Sequence, residues 1–328
     1  MNKTKISTTY NNNNTKRIKN WSNYSKSLEK HGDITVLVNA ACLQQAVRPT
    51  GRAGRPYEYP DEIILLLAQI RELFRLPLRQ TIGVAKAIFR QAGLDVKLPG
   101  YVTLSRRFGK LNIPLVQHRN MTSKLPVIFL PDSTGLKVSG EGEWKVKKHG
   151  AGGHRKWVKA HIGTDYTTRM ITAVKITNSV EHDGKHLSSL IRQTKAISYN
   201  IANIIADGAY DSHSLYIKTI KQRINLIVPP PKHARFHGYV REGELVDDKG
   251  WEKRNTYVRE CKKLGKSEWK KRVGYHKRSL AETTMSRLKI TFGDKLKSKK
   301  RKNQIAETRV RILLLNLFTS YGLPQYTG

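Results

Sequence analysis

Acidic residues are scarce in this chain of 328 residues: 25 Asp and Glu stand against 61 Lys and Arg, a formal charge of +36. Self-repulsion on that scale weakens a compact fold unless a polyanion offsets it, so nucleic acid is the partner the composition points to. Cysteine is nearly absent. Cys42 and Cys261 lie far apart with no CxxC partner, which excludes a disulfide framework and a cysteine-based zinc site and leaves two reduced thiols. Long apolar runs are missing too. The longest, Ile63 to Ala68, is far short of a bilayer span, and the start MNKTKISTTYNNNN has no stretch of signal-peptide character. A cytoplasmic protein with no membrane partner is expected. Hydrophobic residues, at 38% of the chain, suffice for one sizeable core and a smaller module.

What is present divides into a helical part and a strand-rich part. Residues 1–20, rich in Asn, Thr and Lys, read as a flexible basic arm, and residues 21–122 as a helical region. Trp21 to Val47 carries short helical patterns, and Gly51 to Pro56 is a linker whose arginines suit phosphates. The periodicity predicts helices over about 60–74, 78–92 and 103–111. This trio, with Arg79, Arg106 and Arg107 on exposed faces, is either a helix-turn-helix-like DNA-binding unit or a plain helical subdomain packed on the core.

Strands and helices alternate over 123–324. Strands are expected at 127–130, continuing at 135–138 after a kink, and as an antiparallel pair at 156–163 and 169–177. A helix over 184–198, a strand over 201–206, a helix over 212–223 and a strand over 225–228 follow. Residues 232–273 lack clear periodicity and are expected to be an irregular basic segment. Single helices are expected over 275–292 and 304–321, giving a mixed α/β fold.

With so few acids, those at strand ends carry information. Asp132 follows Val-Ile-Phe-Leu-Pro and Asp207 follows Ile-Ile-Ala. Ligands meet an open sheet at its strand ends, so both carboxylates face one cleft if the strands are neighbours. Glu282 is the only acid between Glu268 and Asp294 and lies in a predicted helix. Three carboxylates make an oxygen-lined site of the type Mg2+ or Mn2+ prefers. Two such ions can clamp the attacking and leaving oxygens of an in-line phosphodiester displacement. Tyr275, Arg278, Glu282 and Lys289 fall within about 60° of one helix face, placing a carboxylate between phosphate-binding cations. Ordinary i,i+4 support of Glu282 by Arg278 on a solvated helix has the same spacing.

The run from Lys249 to Lys302 holds 20 basic and 5 acidic residues and brackets Glu282, which predicts phosphate contacts and a steep dependence on salt. His182, Asp183 and His186 have a loose metal-ligand spacing but no fourth ligand, and turn or capping roles suffice for Asp165 and Asp183. Trp144 and Trp157 read as sheet-packing residues or as platforms for stacked bases.

The order Tyr275-x2-Arg278-x3-Glu282-x6-Lys289 resembles the Y-R-E-K signature of DDE transposases of bacterial insertion sequences. Its surroundings, GYHKRSLAETTMSRLKITFGDKL, resemble the insertion-sequence-five family, as do PDSTGLKVSGEGEWKVKKHG, ADGAYDS, GRPYEYPDEI, LPLRQTIGVAKAIF and YVTLSRRF. The resemblance spans about residues 17–324. It implies a ribonuclease-H-like catalytic core over 123–324 behind a helical N-terminal DNA-binding region. It implies that Asp132, Asp207 and Glu282 are catalytic and hold two divalent ions, Mg2+ or Mn2+. Tyr275, Arg278 and Lys289 would contact transposon ends, and a helix-turn-helix-like unit, read from the residues above, would add Arg106 and Arg107 as candidate DNA contacts in the helical region. The implied partners are double-stranded DNA, as terminal inverted repeats and target, and further copies of the chain in a homodimer or larger assembly on the bacterial nucleoid. One departure is Pro-Pro-Pro-Lys-His-Ala at 229–234, where relatives carry arginine in place of Pro231 or Lys232. The expected activity is metal-dependent cleavage at transposon ends followed by strand transfer. A ribonuclease-H-like nuclease that cuts without joining, and a DNA-binding regulator with an inert core, are the alternatives.

Overall fold

The computed structural model describes residues 17–37, 58–116, 126–138, 157–197, 199–237 and 249–326. The arm before residue 17, the Gly51 to Pro56 linker, Cys42, Trp144 and the boundary at 122/123 lie outside the described residues.

One long strand, β1 (Val127–Val138), organises the sheet. It pairs antiparallel with β2 (Trp157–Asp165) along its length from Phe129 opposite Asp165 to Lys137 opposite Trp157. β2 pairs antiparallel with β3 (Ile171–Asn178). On its other edge β1 pairs in parallel with β4 (Ile201–Ile205) only as far as Phe129 opposite Ile204. It finds a neighbour again at Lys137, where the short β6 (Lys295–Leu296) begins. β4 pairs in parallel with β5 (Asn225–Ile227), so the order is β3-β2-β1-β4-β5. This mixed sheet is the ribonuclease-H-like arrangement expected above.

β1 runs straight through Pro131 rather than breaking into two pieces. The N–H groups of Val127 and Lys137 donate to Asn200 and Asp294 on the β4 and β6 side, so alternation points the odd-numbered amides of β1 that way. Pro131 lacks its N–H on that side, where the β4 ladder has already ended, and the ladder to β2 loses nothing. Among the described residues, the edge of β1 from Pro131 to Gly135 is left bare between β4 and β6.

Helices cover both faces. The trio expected in the N-terminal part is present as α2 (Asp61–Leu73), α3 (Leu78–Gln91) and α4 (Tyr101–Phe108), preceded by α1 (Trp21–Glu29). Ile64 and Leu67 of α2, Phe89 of α3 and Leu104 of α4 belong to one continuous core with Leu136, Val158 and Ile162 of the sheet. α9 (Ser279–Phe292) and α10 (Arg301–Tyr321) contribute Leu288, Val310 and Leu314 to it. The opposite face buries Phe129 and Ala173 against Leu187 and Leu190 of α5 (Leu187–Ala196) and Tyr216 of α6 (His213–Lys221). Gly163 lies under Phe129: a Cβ there would sit 2.0 Å from the ring.

The segment expected to be irregular is largely helical, as α7 (Lys249–Leu264) and α8 (Lys266–Arg272), parted by Gly265 at φ 79°. Arg254, Asn255, Tyr257, Val258 and Trp269 are among its buried positions, a face that the surrounding lysines obscure in the sequence. Arg254 anchors the pair by holding Asp211, with Nε 3.1 Å from Oδ1 and Nη2 3.1 Å from Oδ2.

A buried ionic quartet ties α2 to α10. Arg311 Nε is 2.8 Å from Glu72 Oε2 and its Nη2 2.7 Å from Glu307 Oε1, while Arg71 lies beside both acids. Glu307, 0% exposed, also accepts from the amides of Lys297 and Ser298 at 2.8 Å each. Removing one member of such a group leaves an uncompensated buried charge. Glu307→Gln is therefore expected to cost about 3–5 kcal/mol, read from the shift of the urea unfolding midpoint at unchanged slope.

Candidate active site

The bare edge of β1 is where the acids gather. Asp132 sits on it, and the Ser133 amide, freed from any ladder, donates to Asp132 Oδ1 at 2.8 Å. Asp207 stands two residues beyond β4 and caps the 3-10 turn Gly208–Tyr210, accepting from the Ala209 amide at 3.0 Å. The parallel pairing of β1 with β4 is what brings these two strand ends together. Glu282 comes from the first turn of α9, where the helix dipole favours a carboxylate.

The single helix expected over 275–292 is a 3-10 turn, Tyr275–Arg278, followed by α9. Gly274 makes the entry in the left-handed region, at φ 67°, a conformation that costs glycine little. The turn swings Arg278 back over the acids. Its Nη2 lies 3.2 Å from Asp132 Oδ2 and 3.7 Å from Asp207 Oδ2, and its Nη1 donates to Glu282 Oε1 at 2.6 Å. One guanidinium is shared by three carboxylates from three elements. Burial pushes the Asp132 carboxyl above its ordinary range; the Ser133 amide and Arg278 oppose this, and Asp207 and Glu282 add to it. Tyr275 is half-buried beside the same acids, and burial raises its pKa.

Residues 123–317, more than half of the chain, match the family described as "Transposase DDE domain", and residues 29–141 match a second family of the same description. The chain belongs to the DDE transposases. Among solved structures, the Drosophila P element transposase strand transfer complex resembles it at 11% identity and a TM-score of 0.33, over 90% of this chain and 86% of that one.

DDE transposases depend on divalent metal. Among the described residues of this transposase, no three His, Cys, Asp or Glu side chains close around a common point; the three acids meet on Arg278 instead. The donor chemistry fits hard cations all the same, since three carboxylates already surround one positive charge.

Other expectations fare differently. Lys289 lies two turns beyond Glu282 on α9, half-buried and apart from the acids. Arg79 and Arg106 are exposed, and Arg79 donates to the Tyr101 hydroxyl at 3.0 Å with its guanidinium 4.3 Å from the ring centroid. Arg107 is not on an exposed face. It is 6% exposed and donates to the Tyr59 carbonyl and to Asp61, because position 107 belongs to the apolar side of α4 with Leu104 and Phe108. Asp165 has the expected turn role, accepting from the amides of Thr167 and Thr168. Trp157 packs on the sheet, against Gly135, where a Cβ would lie 3.1 Å from the indole. The sequence reading missed the partners of Asp183: Lys159 and His161, two residues apart on one face of β2.

Arg278 sets the charge balance of the site, so its removal should be felt before any chemistry occurs. Arg278→Gln leaves the acids unopposed and is expected to lower Tm by about 2–6 °C at neutral pH. Millimolar Mn2+ should restore more of that loss in the variant than it adds to the wild type. A thermal-shift titration in EDTA and in Mn2+ checks both.

Proposed function

We propose that Asp132, Asp207 and Glu282 are the catalytic residues of this transposase and that they hold two divalent ions, Mg2+ or Mn2+. The observation that carries the reading is the meeting of these carboxylates, from β1, the end of β4 and α9, at the bare edge of β1. Ions held there supply Lewis acidity and lower the pKa of water enough for it to attack phosphorus at neutral pH. Everything else falls to the side chains. Arg278 and Tyr275 lie beside the acids at the start of α9, where a phosphate held by them sits over the carboxylates, and Lys289, two turns on, takes a phosphate farther along the strand. Arg106, exposed on α4, takes the DNA backbone farther from the cut, in a helical region that serves as a DNA-binding unit. Arg107 has no part in this, being committed to Asp61.

The reaction has two stages. Hydrolysis at the transposon end frees a 3′ hydroxyl. That hydroxyl then attacks a phosphate of target DNA, forming the new phosphodiester bond as the target's own 3′ oxygen leaves, so the protein itself is never covalently joined to DNA. Terminal inverted repeats are the substrate that fits this scheme, and holding two ends at once calls for a homodimer or larger assembly. The motifs around the three acids support reading the chain as one of the insertion-sequence-five family within the DDE transposases.

Asp132→Asn, Asp207→Asn and Glu282→Gln should each abolish cleavage of duplexes carrying the element's ends in Mg2+, while affinity for those duplexes in EDTA stays near wild type. Wild-type cleavage by any of them removes that residue from the assignment. Joining of pre-cut ends to a target plasmid separates a transposase from a nuclease that only cuts. Affinity for end DNA should also fall steeply between 50 and 200 mM salt, as about 10³-fold or more for six or more phosphate contacts; a flat titration contradicts the role given to the basic run.

A further inference from the structure

The two aspartates at the bare edge of β1 share a support on the other side of the sheet. Side chains alternate along β1, so Ser133 points away from Asp132, and its partner across the ladder is His161. His161 is 0% exposed, with Nδ1 2.9 Å from Asp183 Oδ1 and Nε2 2.8 Å from Thr177 Oγ1. Lys159, two residues earlier on the same face, brings Nζ to 2.9 Å from the same Asp183 oxygen. Against the desolvation that raises it, Ser133 also helps His161 and Lys159 hold the Asp183 carboxyl below its ordinary range. All these partners of Asp183 lie on β1 and β2.

Asp183 opens the 3-10 turn Asp183–His186, and that turn packs directly against Gly208–Tyr210, the turn that Asp207 caps. The fit is close: a Cβ on Gly184 would sit 3.3 Å from Leu215 Cδ1 and 3.5 Å from the Ala209 carbonyl oxygen. Tyr210, 1% exposed, has its pKa pushed up by burial and by the charges of Asp183, Asp207 and Asp132.

We propose that Asp183, clamped by Lys159 and His161, is a positioning residue that sets both catalytic aspartates: Asp132 through Ser133, and Asp207 through the packed 3-10 turns. The proposal rests on the reading of Asp132 and Asp207 as catalytic. A capping role alone does not account for the arrangement. A cap bonds the amides of its own turn, whereas Asp183 reaches across to two strands and draws a lysine and a buried imidazole to one oxygen. Spending two basic groups on a carboxylate 14% exposed is costly unless the geometry it fixes is needed. The Ser133 amide shows where that geometry is used, because it orients the Asp132 carboxylate directly.

The test compares Asp183→Asn, Ser133→Ala and Asp132→Asn with wild type in full-length protein. Three quantities are read: the single-turnover cleavage rate of end duplex in Mg2+, Mn2+ binding without DNA by electron paramagnetic resonance, and end-duplex affinity in EDTA. Asp183→Asn is expected to slow cleavage and weaken Mn2+ binding by about 10- to 100-fold, with Ser133→Ala milder in the same direction. DNA affinity in EDTA should stay near wild type, while Tm falls by a few degrees in Asp183→Asn as Lys159 and His161 lose their partner. Ser133→Thr, which keeps a hydroxyl at 133, should retain most of the wild-type rate that Ser133→Ala loses. Wild-type rate and Mn2+ affinity in both Asp183→Asn and Ser133→Ala, beside an inactive Asp132→Asn, overturn this proposal alone. A fall of DNA affinity in parallel with the rate also overturns it, in favour of a purely structural role. Wild-type cleavage by Asp132→Asn overturns the catalytic reading and this proposal together.

Discussion

Carboxylates brought together in a half-buried cleft repel one another, and that repulsion must be offset before the elements carrying them can pack. Here Arg278 offsets it, with one nitrogen between Asp132 and Asp207 and the other on Glu282. The burden is real in this site because burial already pushes Asp132 toward its neutral form. A guanidinium suits the task better than an ammonium, since its planar fork reaches several carboxylates at once and keeps its charge. The same residue is the arginine of the Y-R-E-K-like spacing read in the sequence. The excess of +36 thus works at two ranges, drawing a polyanion to the surface and holding three of the scarce acids in one place.

The site exists because β1 loses its neighbour. Its pairing with β2 is unbroken, while the other edge passes from β4 to β6 across a gap that begins at Pro131. Any residue with an N–H at 131 would present an unpaired donor to that gap; proline presents none. The next amide facing the gap, that of Ser133, is satisfied by Asp132 itself. Ladder accounting and acid placement are therefore one arrangement. At the far end of α9 the chain is pinned in the same economical way: Arg75 donates to the Thr291 carbonyl at 2.8 Å, and β6 returns at once to β1.

Legibility in the sequence followed the strength of the local signal. Asp132 and Asp207 were readable because apolar β-branched runs end at them, and α2, α3, α5 and α10 because their apolar spacing is regular. The continuity of β1 was not readable, since Pro131 argues locally for a break and only the absence of β4 on that side makes it harmless. The helices over 249–272 were hidden by composition: their buried positions include Arg254, whose partner Asp211 lies 43 residues earlier. Arg107 was misplaced for the related reason that a lone arginine reads as solvent-exposed until its acid, Asp61, is seen beside it. Arg278 offered two meanings, an i,i+4 pair with Glu282 or a phosphate contact, and the long-range ion pairs to Asp132 and Asp207 belong to neither. Asp183 was legible only as a turn residue because Lys159 and His161 meet it through the sheet.

The helical N-terminal region is bound to the sheet more firmly than a tethered DNA-binding module would be. Its apolar side chains share a core with β1, β2, α9 and α10. The quartet of Arg71, Glu72, Glu307 and Arg311 adds a contact that cannot be partly broken without stranding a buried charge. Arg311 also donates to the carbonyls of Gly293 and Lys295, the segment that follows the helix bearing Glu282. The path from α2 to the acids therefore runs through close-packed side chains and directed hydrogen bonds, with no linker in it. Exposed cations on α3 and α4 are held at a fixed distance from the bare edge of β1. On the proposed reading of Asp132, Asp207 and Glu282 as catalytic, that fixed spacing would set how far a bound duplex extends from the carboxylates.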